Sequence, residues 1–408
     1  MPLGIGHRAD RNLIIAASFL RSLSISGLGV LLGIHLAQVG FKPSAIGLIV
    51  GAGLAGGACS ALIITILGDR WPRRPLLITL TLFSAGGMFA LVWLRSEHLL
   101  LAASFLGMVN GMGRDRGALL ILEQAILPGV TDDRGRTSTF AWYNVFQDGG
   151  HALGGVLVAL PGFLSWGGLS DPVFSQRLIF SVCGTLTVLS AICYAFLSSA
   201  CLSPPSMQKK PITPETKRVV TKISSLFLLD ALGGGFLTTA MVSYFFFERF
   251  GVSVGQVGLL FTAARALNAF SHLGASWLAS RIGLVNTMVF THIPSSVLLA
   301  SVVVAPNFTI AVILFLLREG LVEMDVPTRQ SYIMAMVKPE ERTFASGVTG
   351  LVRMGGWAAA PSFAGLFMQN IASASPLIAG SGLKIIYDIL LYVNFRRLPP
   401  PEERAAPA

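Results

Sequence analysis

Charge is scarce in this chain. Asp, Glu, Lys and Arg make up 12% of its 408 residues, against 53% for hydrophobic types. A soluble fold of this composition would be core with no surface, so lipid must cover much of the outside. Cysteine is scarcer still. The four present (Cys59, Cys183, Cys193, Cys201) lie in or at the ends of apolar runs and form no CxxC pair, which argues against disulfides and against zinc. The chain has no GxxxxGK phosphate loop, no HExxH and no GxSxG. ATP-driven pumping by this chain alone is thereby excluded, and a membrane-embedded enzyme has no signature. No catalytic residue, cofactor or metal is expected. Ten-residue alternating segments are missing as well, which rules out a transmembrane β-barrel.

What is present is apolar sequence in long runs, with a mean hydropathy of +0.69. A helix needs about 20 apolar residues to cross the hydrocarbon layer, and open sheets or loops cannot cross it at all. Twelve spans are predicted, near 12–37, 44–67, 75–94, 99–125, 137–160, 175–200, 222–247, 253–278, 285–305, 309–330, 343–367 and 373–394. The fourth and tenth are the polar ones. MPLGIGHRADRN runs into the first span without a small-residue cleavage site and reads as a retained helix, with no removed signal peptide. Of 30 Lys and Arg, four (Lys42, Arg95, Arg177, Arg249) fall in loops after odd-numbered spans. Eight (Arg21, Arg114, Arg116, Arg265, Arg318, Arg329, Arg353, Lys384) lie inside spans, and the other 18 sit at the termini or after even-numbered spans. That asymmetry predicts cytoplasmic termini and accounts for the net charge of +10 without nucleic acid.

The stretch LSPPSMQKKPITPETKRVV (202–220) carries Pro and Lys and lacks apolar periodicity, so it reads as a linker between six spans and six. The expected organisation is 1–201, an N-terminal six-helix half; 202–221, a cytoplasmic linker; and 222–408, a C-terminal half. The halves align. GFKPSAIGL (40–48) matches GVSVGQVGL (251–259) at an offset of 211, and residues 123–150 match 329–356 at an offset of 206. The second register pairs Gln124 with Gln330, Arg136-Thr137 with Arg342-Thr343, and Gly149-Gly150 with Gly355-Gly356. Two six-helix halves related by a repeat are a secondary-transporter architecture.

At these residues the chain resembles the major facilitator superfamily along essentially its whole length. ILGDRWPRRPLL (66–77) is similar to that family's loop between helices two and three, with Asp69, Arg70, Arg73 and Arg74 in its acidic and basic places. The family's flanking glycines are replaced here by Thr65 and Pro72. MVKPEERTFASG (336–347) resembles the matching loop after helix ten, with Pro339 and Arg342 at the same spacing. NGMG (110–113), GHALGG (150–155) and LFLLDALGGGF (226–236) are partial matches to antiporter and bacterial exporter motifs; Gly107 stands where antiporters carry Arg, and His151 where they carry Pro. The resemblance implies an all-α membrane fold of twelve transmembrane helices in two pseudo-symmetric halves, a multi-pass protein of the cytoplasmic (inner) membrane, and a monomer. It also implies that helices one, four, seven and ten line a central cavity, and that two, five, eight and eleven form the seam between halves.

The candidate site follows from charges inside apolar spans. In LLREGLVEMDVPTRQ (316–330), Arg318, Glu319, Glu323, Asp325 and Arg329 crowd into one span. Each such charge at mid-membrane costs about 2.5–3.5 kcal/mol, so they must face water or one another. Arg318, Asp325 and Arg329 share a helical stripe, with Asp325 and Arg329 four apart as a structural pair, and Glu319 and Glu323 form a second stripe. Pro327 is expected to kink the helix and free the Glu323 carbonyl. Helix four carries Arg114, Asp115, Arg116 and Glu123, helix one Arg21, and helix seven Asp230, whereas spans three, six and nine carry no charge apart from Arg177 at the edge of six. Asp148 and Arg265 lie at similar depth in helices five and eight and are expected to pair across the seam, with Arg353 a further seam charge. Asp230 is the first proton-carrier candidate because LFLLDAL holds no local cation; Glu319 and Glu323 follow, and His35, His151, His272 and His292 read as packed histidines.

The expected function is secondary active transport of a small molecule by alternating access: proton-coupled efflux of an amphipathic drug or metabolite. Proton-coupled uptake of an organic anion is the alternative, and a non-transporting membrane sensor is the alternative of a different class. Partners are the substrate, protons and the lipid bilayer.

Overall fold

The structure is a computed structural model and describes residues 5–67, 71–131, 136–164, 171–198, 212–337 and 341–396. Among the described residues there is no strand, and fifteen α-helices follow one another. They are α1 (Ile5–Gln38), α2 (Pro43–Leu67), α3 (Arg73–Trp93), α4 (Glu97–Leu106), α5 (Ala118–Ile126), α6 (Arg136–Leu164), α7 (Pro172–Ala195) and α8 (Pro214–Phe236). Then come α9 (Thr239–Phe250), α10 (Val254–Ile282), α11 (Leu284–Val302), α12 (Phe308–Val322), α13 (Asp325–Met336), α14 (Arg342–Asn370) and α15 (Ser375–Phe395). Nine of the twelve expected spans are single helices; the fourth, seventh and tenth are each two, as α4 with α5, α8 with α9, and α12 with α13. Seven stretches among the described residues are long and apolar enough to cross a membrane, Pro214–Phe250 counted as one. Large apolar side chains stand exposed on them, among them Trp93 at 79% and Val393 at 65%, as a lipid-covered surface requires.

The two registers of the internal repeat recur in helix starts. Pro43 of α2 and Val254 of α10 are 211 apart, and Arg136 of α6 and Arg342 of α14 are 206 apart. α8 begins at Pro214, ahead of the expected 222, while 199–211 lie outside the described residues. Pro214 occupies the first helical position, where no N–H is needed, behind Thr213 as N-cap. Glu341 accepts from the Thr213 N–H at 2.6 Å and from its hydroxyl at 3.0 Å.

The chain divides into two compact units. The first comprises Met1–Met207, Thr238–Thr262 and Pro361–Gln369; the second comprises Gln208–Leu237, Ala263–Ala360 and Asn370–Ala408. In the first, α1 packs along α6, α7 and α9, and α2 lies on α4. Lipid removes the hydrophobic drive between helices, so close backbone approach carries the packing. A Cβ on Gly53 of α2 would stand 2.0 Å from the Val109 carbonyl oxygen. In the second unit, Val220, Ile223 and Phe227 of α8 pack with Val285, Met288 and Val289 of α11 and with Tyr387 and Leu391 of α15.

The break in the fourth span has a local cause. Between α4 and α5, Gly113 takes a positive φ of 65°, and the Asn110 side chain holds a turn by accepting from Met112 N–H at 2.9 Å and donating to Arg114 O at 2.7 Å. Within the first unit the freed backbone is satisfied from α9: Ala240 N–H donates to Gly111 O at 3.0 Å and the Thr239 hydroxyl to Met112 O at 2.7 Å. In the tenth span the expected kink at Pro327 is a full break at residues 323–324. Pro327 falls in the first turn of α13, where its missing N–H costs nothing, and the Glu323 carbonyl is not free, since Val326 N–H donates to it at 3.3 Å.

Candidate functional site

Each unit encloses a buried ion network. In the first, Arg21 rises from α1 and is 1% exposed. Its Nε donates to Asp115 Oδ2 at 2.6 Å, and its two terminal nitrogens donate to Glu123 of α5 at 3.0 and 2.5 Å. Nη1 also donates to the Tyr194 hydroxyl. The Tyr194 hydroxyl in turn donates to Glu123 Oε1 at 2.5 Å and the Tyr143 hydroxyl to Oε2 at 2.6 Å. All four lone-pair sites of the Glu123 carboxylate are therefore occupied. The break after α4 delivers Asp115 to Arg21, and Asp115 N–H donates to His151 Nε2 at 3.1 Å. Four of the five Arg21 N–H donors and the whole Glu123 carboxylate are thus engaged, and loss of one partner strands the others at about 3–5 kcal/mol.

The second unit has the opposite sign at its centre. Asp230 of α8 accepts from Lys384 Nζ of α15 at 2.9 Å, from Arg329 of α13 at 3.3 Å and from Arg353 of α14 at 3.4 Å. Arg329 also donates to Asp325 at 2.5 Å. Lys384 Nζ lies 3.3 Å from His292 Nε2 of α11, and His292 Nδ1 faces both oxygens of Asp388 at 3.0 and 2.9 Å. An ammonium has no acceptor, so Nε2 must offer its lone pair to Lys384, and the imidazole proton sits on Nδ1, donating to Asp388. His292 is thus neutral here. Three acids (Asp230, Asp325, Asp388) balance three cations (Lys384, Arg329, Arg353). Arg353 is the least enclosed of these cations, with 17% of its side chain exposed against 10% for Lys384 and 3% for Arg329. Its guanidinium lies over the Trp357 ring at 4.9 Å. The buried hydroxyls of Ser224, Ser296 and Ser381 and Nε of Arg353 have no hydrogen-bond partner among the described residues.

Several expectations change. Asp230, with no cation beside it in LFLLDAL, faces three, all from α13, α14 and α15, which its own helix could not reveal. Asp325 and Arg329 do pair, but Arg329 also reaches Asp230, so the pair belongs to the central network. Arg318 and Glu319, assigned to different stripes, pair as neighbours, with Asn268 donating to Glu319 Oε2 at 2.8 Å. Glu323 caps α12, half-buried. Arg114 and Arg116 are half-buried in the break after α4, flanking Asp115. Asp69 and Arg70 lie outside the described residues. Arg73 donates to Ala125 O at 3.1 Å, and Arg74 to Leu197 O at 3.2 Å and to Ala195 O, so both serve the open carbonyls at helix C-termini. Asp148 is exposed on α6 of the first unit, Arg265 half-buried on α10 of the second, and Arg342 exposed at the start of α14. Asp388, Tyr143 and Tyr194 were not singled out in the sequence, and His292 was read only as a packed histidine. A carboxylate within the apolar run of the twelfth span was the one available signal, at Asp388; tyrosines in an apolar run look like any other packing residue.

Comparison with known proteins follows this geometry. The family model described as Major Facilitator Superfamily matches residues 14–361 and 223–408. The chain is 24% identical over 425 residues to an uncharacterized membrane protein of Saccharomyces cerevisiae, YJR124C, covering 95% of this chain and 94% of that one. Among solved structures it is similar to the nucleoside transporter NupG, with a TM-score of 0.73 at 13% identity, covering 95% of this chain and 99% of the other. It is also similar to a bacterial homologue of the human lysosomal transporter Spinster in its inward-facing, occupied conformation, with a TM-score of 0.74 at 16% identity and 98% of both chains covered. The chain belongs to the major facilitator superfamily, as a multi-pass helical membrane protein with the fold of its transporters.

Proposed function

We propose that the chain is a proton-coupled secondary transporter of a small molecule, working by alternating access as a monomer and not as an enzyme. The observation that supports it best is the second network: an ion cluster, buried in a membrane protein, that ends in a neutral histidine bonded to a carboxylate. Buried ionisable groups of this kind in transporters mark ion or proton pathways. Broken helices near such groups support the same reading.

Two directions of transport compete. Efflux of an amphipathic drug or metabolite in exchange for protons rests on the partial antiporter motifs around NGMG and GHALGG. Uptake of an organic anion together with protons rests on the cations gathered at Asp230, and this second reading is the one the network favours. The similar solved structures include a nucleoside transporter and a homologue of a lysosomal one, so they support transport without choosing a cargo. The loop charges support cytoplasmic termini, and the motifs a cytoplasmic (inner) membrane. Asp148 and Arg265 remain a proposed pair.

The test is purified protein in liposomes containing a pH dye, challenged in turn with drugs, organic acids and sugars. A compound that moves protons supports the transporter, and the sign of the movement separates symport from antiport. Compounds that bind while none crosses would make the chain a sensor.

A further inference from the structure

We infer that the second network is a single site that takes up one proton and one organic monoanion together, the proton on the His292–Asp388 pair and the anion on Arg353. The inference deepens the proton-coupled reading and rests on it. It starts from the charge balance: with His292 neutral, three acids face three cations. A proton added alone leaves a buried net positive charge, and an anion added alone leaves a net negative one; both are costly in a medium that solvates ions poorly. Added together they restore neutrality.

The hydrogen bonds supply a route between the two events. Once His292 carries a proton on Nε2, it can no longer accept from Lys384, which lies 3.3 Å away. Among the described residues Lys384 then has Asp230 as its one remaining acceptor, already held at 2.9 Å. Arg329 keeps its second partner, Asp325, at 2.5 Å. Among the described residues Arg353 hydrogen-bonds to no acid besides Asp230, that contact is the longest of the three at 3.4 Å, and its Nε is unpartnered. It is the cation that protonation releases. An arginine fork lying on Trp357 suits a carboxylate attached to an apolar or aromatic body.

The groups facing His292 are Asp388, Lys384 and the Tyr387 ring from α15, with Asp230 of α8 and Arg329 and Asp325 of α13 joined through Lys384. The charged pair of α12, Arg318 with Glu319, is closed on itself and on Asn268.

The experiment is calorimetry of the full-length protein in detergent with acetate, benzoate, 1-naphthoate and decanoate. Benzamide and benzylamine serve as neutral and cationic matches, and each titration is run in two buffers of different ionisation heat. The expected result is preferential carboxylate binding with uptake of about one proton, since linkage makes each ligand raise the affinity of the other. Arg353→Gln should weaken carboxylate binding by about tenfold or more, as loss of a charged hydrogen bond does, and Arg353→Lys should restore part of it. His292→Gln can still accept from Lys384 and donate to Asp388, so it should fold and bind while losing the proton uptake. Binding no better than that of the amide, or proton uptake unchanged in His292→Gln, overturns the inference. Coupled binding without any flux in liposomes would instead overturn the transport reading and leave this one standing.

Discussion

The two ion networks occupy corresponding places in the repeat and carry inverted charge. Glu123, which grips Arg21, stands at the position aligned with Arg329, which grips Asp230. Gln147, bonded to Tyr143, aligns with Arg353. In the first network a lone cation at the centre is saturated by two carboxylates, and tyrosine hydroxyls complete the acceptors. In the second a carboxylate at the centre is shared by three cations, and the chain runs on to a histidine with an accepting nitrogen. Completed bonding makes the first a fastening; shared and unfinished bonding makes the second able to change state.

Substitutions can break or sharpen that contrast. The largest effect is expected from Asp230→Ala, which leaves Lys384, Arg329 and Arg353 without their common acceptor and should cost about 3–5 kcal/mol in unfolding of the detergent-solubilised protein. Glu123→Gln should cost less, about 1.5–3 kcal/mol, because Asp115 still neutralises Arg21. A larger loss for Glu123→Gln than for Asp230→Ala would reverse the ranking. The smallest effect is expected from Tyr194→Phe, about 0.5–1.5 kcal/mol with no change in any pH dependence, since that hydroxyl bridges Arg21 and Glu123, which stay bonded to each other directly. A shifted pH profile in Tyr194→Phe would show that the first network also exchanges protons.

Much of this arrangement could be read along the chain, because charge in an apolar run is conspicuous. Arg21, Asp115, Asp230 and Arg329 stand out in this way, and the repeat register recurs in the helix starts, Pro43 with Val254 and Arg136 with Arg342, each within one residue of the expected span. Partners could not be read, since they come from helices far away in sequence: Lys384 lies 154 residues from Asp230, and Tyr194 lies 173 from Arg21. Helix breaks were half legible. The fourth and tenth spans are polar enough to flag, but Pro327 drew attention to the wrong residue, because proline is harmless in a first turn. The seventh span breaks at Leu237-Thr238 behind three successive glycines, and LGGGF is as readily a packing surface as a hinge.

The most direct test of the account is accumulation of a radiolabelled carboxylate in proteoliposomes under an imposed pH gradient, set beside exchange of the same compound without one. Wild type should do both, and His292→Gln should keep exchange while losing gradient-driven accumulation. Undiminished accumulation in His292→Gln would contradict the central claim that the second network carries the proton.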